Sequence, residues 1–275
     1  MRAKIQAKLY RAAVYAGAAF SVGVLVLIVG YILIKGIPHL SPELFAWEYN
    51  SNNVSMMPAI INTLLMTLLS LLVCVPLGIG AAIYLTEYAK RGSRLVKLVR
   101  MTAETLSGIP SIIYGLFGAL FFVVSLKMLL SLLSGALTLS IMVLPTIMRT
   151  TEEALLAVPD SFREGSFGLG AGRLRTTFKV VLPSAIPGIL SGVILAIGRI
   201  VGETAALIYT AGTVAKVPDS LLDSTRTLAV HMYTISTEGL YINQSYATAV
   251  VLLVMVLIIN GLSALIAKRI GGKRA

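Results

Sequence analysis

The chain is short of nearly everything that a soluble active site uses. Among its 275 residues there is one cysteine, one tryptophan and two histidines. Charged residues make up only 13%, about half the usual share for a soluble domain. The lone Cys74 excludes an intramolecular disulfide and a cysteine-based metal site. His39 and His231 are far apart in sequence; both are expected in outer loops, solvated or interfacial, and neither suggests a metal. No G-x-x-x-x-G-K-[ST] string occurs, so the chain does not hydrolyse ATP through a P-loop. No His-, Cys- or Ser-based constellation for an enzyme stands out. Acidic residues are also few, 12 against 23 basic, giving a net charge of +11. Nucleic-acid binding would need a basic face on a soluble fold. Here the basic residues fall in short clusters at the ends of apolar runs, which excludes that function.

What is present is apolar length. Hydrophobic residues are 57% of the chain, and a bilayer core needs about 20 of them in a helix. Six runs qualify: 12–34, 58–85, 106–126, 128–148, 187–211 and 245–267. The third and fourth touch, which predicts a tight hairpin with Lys127 at the interface. The first run is too long for a signal-peptide core and lacks a clear A-x-A-like cleavage site, so it is expected to remain as a span. Of the 23 Lys and Arg, 18 fall in the N-terminus, the 86–105 and 149–186 loops and the C-terminus. Four fall on the other side, and Arg199 lies within a span. The excess marks the cytoplasmic side and places both termini there. The expected fold is an all-α membrane protein of six transmembrane helices in a cell membrane. Residues 1–57 form an N-terminal segment, first span and outer loop; 58–268 form the core with a long cytoplasmic loop at 150–185; 269–275 are a basic tail.

That loop is too long for a turn and carries "EGSFGLGAGRLRTTFKVVLP", residues 164–183. Pro159-Asp160-Ser161 signals a helix start, with Ser161 a candidate N-cap and Glu164 three residues on. Phe162, Gly165, Ser166 and Leu169 fall on one helical face. The glycines at 168, 170 and 172 should end this helix, and a second should run over 174–181. "GLGAGR" lacks the strand and βαβ context of a nucleotide loop.

Within the fifth span, Arg199 and Glu203 lie at hydrocarbon depth, where charge is costly and faces a partner or a water-filled path. Gly188, Gly192, Ala196, Arg199, Glu203 and Ala206 share one stripe of small residues, suited to helix packing. Two roles fit: an i, i+4 ion pair that locks packing, or a path in which Arg199 attracts an anion and Glu203 neutralises it when empty.

The loop resembles the EAA loop of ABC importer permeases. Glu164-Gly165-Ser166, Gly170 and Leu182-Pro183 match its spacing, with Gly and Ser in place of the two alanines. The strings "LSGIPSIIYGLFGALFFV" (106–123) and "PGILSGVILAIGRIVGETAALIYTAG" (187–212) resemble permease subunits of the high-affinity phosphate importer, and G-R-x-x-G-E-T-A looks most like the PstA type. The resemblance implies the type I, MetI-like permease architecture. It implies a coupling helix in which Phe162, Glu164, Gly165, Ser166, Leu169, Gly170, Leu182 and Pro183 engage a separate ATPase, and a path holding Arg199, Glu203 and Thr204. It implies partners too: a PstC-like second permease, two PstB-like ATPase subunits that use ATP and Mg, and a PstS-like extracytoplasmic phosphate-binding protein. No cofactor is expected on this chain. The alternatives are a permease for another oxyanion such as phosphonate, and a non-transporting partner in phosphate sensing.

Overall fold

A computed structural model describes residues 2–90 and 92–272. The described residues are helical with no strand. Five helices are long and apolar enough to cross a membrane, and a sixth span arises if one bent pair counts as one. The first, α1 (Arg2–Gly36), leads through two short 3-10 turns to α2 (Met57–Ile83), which a π-helical turn extends to Tyr88. Next come α3 (Arg94–Ser107), α4 (Ser111–Gly118), prolonged by a π-helical stretch to Ser125, and α5 (Leu132–Leu156). The short α6 (Asp160–Gly168) precedes α7 (Arg173–Thr176), which runs through a π turn into α8 (Leu182–Val201). After a break come α9 (Ala205–Thr210), α10 (Leu228–Thr237) and α11 (Ile242–Gly272).

The architecture follows from where small and large apolar residues fall. Helix α5 is central, packed against α2 and α8, while α11 packs on α8 and α1 on α11. Met66, Leu139, Met142, Ile147 and Ile200 are sealed in the core between α2, α5 and α8. Glycines set the closest approaches. A Cβ on Gly188 would lie 2.6 Å from the Ala154 Cβ, and one on Gly192 would lie 2.6 Å from the Thr150 Cβ. Gly188 and Gly192 of the expected small-residue stripe thus face α5, whereas Glu203 and Ala206 lie beyond the end of α8 at Val201. By contrast α1 leaves its apolar side chains open along its length. In a bilayer those chains meet lipid or another subunit, so exposure there carries no aqueous penalty.

Two expected spans depart from a single straight helix. Run 106–126 breaks at Gly108–Pro110, where α3 and the α4 segment meet at 103°. Proline lacks the N–H that a continuing helix needs and pushes the residue before it out of the helical region. Helix α3 therefore projects away from the span. It is amphipathic, and its Arg100 pairs with Glu152 of α5. Run 187–211 breaks at Gly202–Thr204, and its helix starts much earlier, at Arg173. The hairpin between the third and fourth runs is present. Lys127 lies exposed in its turn with φ of 54°.

Candidate functional site

The loop after α5 is built by its punctuation. Pro159 ends α5 and occupies the cap position of α6. Asp160, not Ser161, opens the helix, and no side chain caps it, so the expected Ser161 cap is not made. Asp160 in the first turn still complements the helix dipole. Gly170 closes α6. Its φ is +81°, its N–H donates to the Phe167 carbonyl at 2.9 Å, and the Ala171 N–H donates to Ser166 at 3.1 Å. This pair of bonds is a Schellman turn, which needs the left-handed residue that glycine supplies. The chain then enters α7 directly. The second helix expected over 174–181 is thus the start of the long helix through α8. Its π turn, Thr177–Val181, sits just before Pro183, whose ring removes one donor from the ladder. Leu182, partly buried, packs against the apolar cluster that holds Val96, Leu155 and Val181.

Helix α6 presents an apolar surface to the outside. Phe162, Phe167 and Leu169 are exposed, Leu169 at 91%. Glu164 and Gly165 are also exposed, and a Cβ on Gly165 would meet nothing. Ser166 turns inward instead, with its hydroxyl 2.8 Å from that of Thr176. The expected face 162/165/166/169 is therefore split, with Ser166 tying α6 to α7 and the others free to be covered.

One residue fastens α6 to the bundle. Arg163 donates through Nη2 to Glu87 at 2.7 Å and to the Leu155 carbonyl at 2.9 Å. Its Nη1 donates to the Val158 carbonyl at 2.8 Å, and its Nε reaches Glu87 at 3.3 Å. Asp160 adds a contact at 3.3 Å. The two paired side chains are 15% and 9% exposed. Arg163 thus joins three elements: α6, the π turn that ends α2, and the last turn of α5. From sequence, Glu87 is an acid near the end of a span, where snorkelling accounts for it, and Arg163 is one of the basic residues that set the topology of the 149–186 loop. The pairing joins residues 76 positions apart, and no local pattern signals it. The usable hint was an acid at the end of a span facing a loop rich in arginine.

At the other end of the long helix the path candidates sit around its break. Arg199 is two residues from the end of α8 and half-buried. Glu203 lies in the break and is buried. Its Oε1 accepts the Ala206 N–H at 3.1 Å, so it caps α9. Thr204, also half-buried, lines a cavity of about 310 Å³ with Tyr233, Ser236 and Tyr246. Among the described residues Arg199 and Glu203 form no ion pair with each other or with any other group. An i, i+4 pair needs a continuous helix, and the break at Gly202 removes it. The structure therefore leaves Arg199 as a cation without a carboxylate partner. On α4, the Tyr114 hydroxyl donates to the Leu106 carbonyl at 2.8 Å.

Two residues expected at the surface are interior. The sequence puts both Arg226 and His231 in outer loops, His231 as a solvated or interfacial group and Arg226 as either a plain surface charge or a contact for a binding protein or an incoming anion. The structure buries both, with His231 on α10. The alternation of small, hydroxylated residues in "DSTRTLAVHMY" gave no helical stripe long enough to predict that burial. His39 is exposed as expected, held by the Lys35 carbonyl at 2.9 Å.

Comparison with known proteins agrees with this geometry. Residues 74–272 match the family described as binding-protein-dependent transport system inner membrane component. A probable ABC transporter permease of Bacillus subtilis, YqgI, is 34% identical over 238 residues, covering 81% of each chain. The phosphate transport system permease protein PstA of Pasteurella multocida is 40% identical over 182 residues, covering 66% of this chain and 64% of its own. Among solved structures, a chain of the MetNI methionine ABC transporter superposes with a TM-score of 0.60 at 19% identity, covering 88% of this chain and 97% of its own. With the exposed α6, the long helix behind it and these matches together, the chain belongs to the inner-membrane permease subunits of ABC importers, which work with a second permease, a separate ATPase and a substrate-binding protein.

Proposed function

We propose that this permease carries inorganic phosphate, with Arg199 on the translocation path and α6 as the coupling helix. The carrying observation is Arg199, without a carboxylate partner among the described residues, in a chain that is 40% identical over 182 residues to a phosphate permease. A cation held half-buried without a carboxylate offers attraction to a passing anion. Glu203, tied to the α9 backbone, keeps a negative charge four residues away. That charge limits how tightly the anion is held. On this reading the end that carries α6 is cytoplasmic. Exposed Phe162, Phe167 and Leu169 enter a groove of the ATPase, and Glu164 pairs with a basic group there. Gly165 allows close approach, and Gly170 sets the angle at which the chain leaves the groove. Leu182 and Pro183 seat the long helix on the core. The complete importer would hold a PstC-like permease, two ATPase subunits that consume ATP and Mg, and an extracytoplasmic phosphate-binding protein.

The test is ATP hydrolysis by the reconstituted complex with binding protein carrying phosphate, phosphonate, sulfate or nothing, beside uptake of the same anions. Stimulation and uptake with phosphate alone, both lost in Arg199→Ala, support the reading. Stimulation by another anion instead retires phosphate as the cargo. Normal phosphate uptake by Arg199→Ala removes Arg199 from the path. Sensing without any transport shifts the role to signalling.

A further inference from the structure

The half of the molecule away from α6 contains a buried cation that nothing neutralises. Arg226 lies between α9 and α10 and is 4% exposed. Its backbone is secured: its N–H donates to Val214 at 3.0 Å, and its carbonyl accepts from Asn62 Nδ2 at 3.1 Å. Its guanidinium is not. The carbon of that group stacks 4.6 Å from the centre of the Tyr49 ring, while Nε and Nη2 are sealed with no acceptor. No carboxylate pairs with it among the described residues. Guanidinium does not shed its proton in proteins. A buried charge without a partner is strongly destabilising, and stacking on one ring offsets only part of that.

Two neutral side chains nearby are also unsatisfied, Asn62 against the Arg226 backbone carbonyl and His231 against the Tyr49 ring. His231 is 0% exposed, and neither ring nitrogen has a partner. Its ring stands edge-on to Tyr49, centres 6.0 Å apart. Burial first, and then the Arg226 charge, push its pKa down to about 3. The Val54 backbone opposes that shift without reaching hydrogen-bonding geometry. The imidazole is therefore neutral near pH 7, with one N–H donor and one lone-pair acceptor. Asn62 is the third. Its Nδ2 donates to the carbonyls of Lys216 at 2.9 Å and Arg226 at 3.1 Å. Those two bonds fix which end of the amide is which. Its Oδ1 is consequently a buried acceptor with nothing to accept.

Charged donors beside neutral acceptors select among anions. A fully ionised oxyanion such as sulfate suits the guanidinium but sets lone pairs against Asn62 Oδ1. Hydrogen phosphate has both halves: ionised oxygens for Arg226, and a P–OH that donates to Asn62 Oδ1 or His231. We propose that Arg226, His231 and Asn62 form a binding site for a protonated tetrahedral oxyanion, hydrogen phosphate, distinct from the Arg199 position. Asn62 lies near the start of α2 and Glu87 at its end, about 37 Å apart at 1.5 Å per residue. The site is thus at the opposite end of the bundle from α6, where an imported anion arrives. Of the four side chains only Tyr49 reaches the surface, so the ring must swing aside to admit the ligand. The assignment to the import route rests on the phosphate reading above.

The experiment uses the purified full complex without binding protein, in an Arg199→Ala background so that the path residue does not report. Thermal stability is titrated with inorganic phosphate and, separately, with sulfate. A ligand that binds only the folded complex raises its melting temperature with concentration. The expected result is a phosphate-dependent rise, little effect of sulfate, and a midpoint at least tenfold higher in phosphate after Arg226→Gln. Arg226→Lys, which keeps the charge but loses the fork, should fall between the two and covers the case in which Arg226→Gln fails to assemble. No response to phosphate, an equal response to sulfate, or an unchanged midpoint in either variant overturns the proposal. Phosphate uptake by the wild-type complex is measured alongside. Arg226-dependent stabilisation without uptake would leave the site standing and retire the cargo reading; uptake without it would do the reverse.

Discussion

Removing the charge of Glu87 tests whether α6 is mechanically tied to the bundle through Arg163. In Glu87→Gln the side chain keeps its size but offers one neutral oxygen where the carboxylate met Nη2 at 2.7 Å and Nε at 3.3 Å. Arg163 keeps its bonds to the Leu155 and Val158 carbonyls and to Asp160, so it is not left bare. The loss is that of one charge-assisted bond, about 1.5–3 kcal/mol. Because about 1.36 kcal/mol is a factor of ten in an equilibrium constant, this lowers the constant for fastening α6 by roughly ten- to a hundredfold. Removing Arg163 is worse: Arg163→Ala strands a mostly buried carboxylate and costs about 3–5 kcal/mol. The assay is the ratio of substrate transported to ATP hydrolysed by the reconstituted complex. On the proposed coupling role of α6, Glu87→Gln should still bind the ATPase, because exposed Phe162, Phe167 and Leu169 are untouched, but transport per ATP should drop. The swap Glu87→Arg with Arg163→Glu should not rescue it, because a glutamate at 163 cannot donate to the two α5 carbonyls. A wild-type ratio in Glu87→Gln, or full recovery in the swap, would refute the reasoning.

Two further predictions come from glycines. Gly170→Ala meets no steric obstacle but must adopt φ of +81°, which costs about 1–2 kcal/mol; Gly165→Ala, in an ordinary helical position with open space, should stabilise α6 by roughly 0.5–1 kcal/mol. Melting of the isolated complex reads both, and the order of stability Gly165→Ala, wild type, Gly170→Ala is the expectation; the opposite order breaks the Schellman assignment. Gly192→Ala should force α8 away from Thr150, costing about 1–3 kcal/mol, and Thr150→Gly in the same chain should recover most of it; additive losses in the double variant would show that the contact is not the cause.

The spans and their number were legible because apolar length is a local property that a window of residues displays. The turn in the 150–185 loop was legible for a different reason: its glycines and prolines are spaced along one short stretch, and Gly170 does end the helix. The breaks were harder. Gly108-Ile109-Pro110 and Gly202-Glu203-Thr204 sit inside apolar runs whose hydropathy alone argues for continuity. A buried carboxylate that caps the next helix, as Glu203 does for Ala206, is visible only once the chain has turned. Contacts between distant segments were out of reach altogether. Arg163 with Glu87, and Arg226 with Tyr49 and Asn62, each join residues more than 70 positions apart. A single sequence holds the residue types for such contacts and says nothing of the pairing.

The placement of the charged groups then has a mechanical logic. From Arg173 to Val201 the chain is one helix of 29 residues, about 43 Å at 1.5 Å per residue. Only the tight turn at Gly170 separates its start from α6, and Arg199 lies within its last turn. A displacement of α6 therefore reaches Arg199 through a single covalent, hydrogen-bonded rod rather than through a relay of loops. Such a rod moves its far end only if it can shift against its neighbours. Gly188 and Gly192 supply a smooth contact with α5, where larger residues would interlock. The break at Gly202 is what turns that movement into a local change. If the helix ran on to Ala211, Arg199 and Glu203 would pair at i, i+4 and travel together. With the break, Glu203 is anchored to α9 through the Ala206 N–H while Arg199 moves with α8. Movement of the rod then changes the distance between cation and carboxylate, and, on the proposed path role of Arg199, the hold on an anion beside them. The interruption that apolar patterning concealed is the feature by which a push at one end can alter affinity at the other.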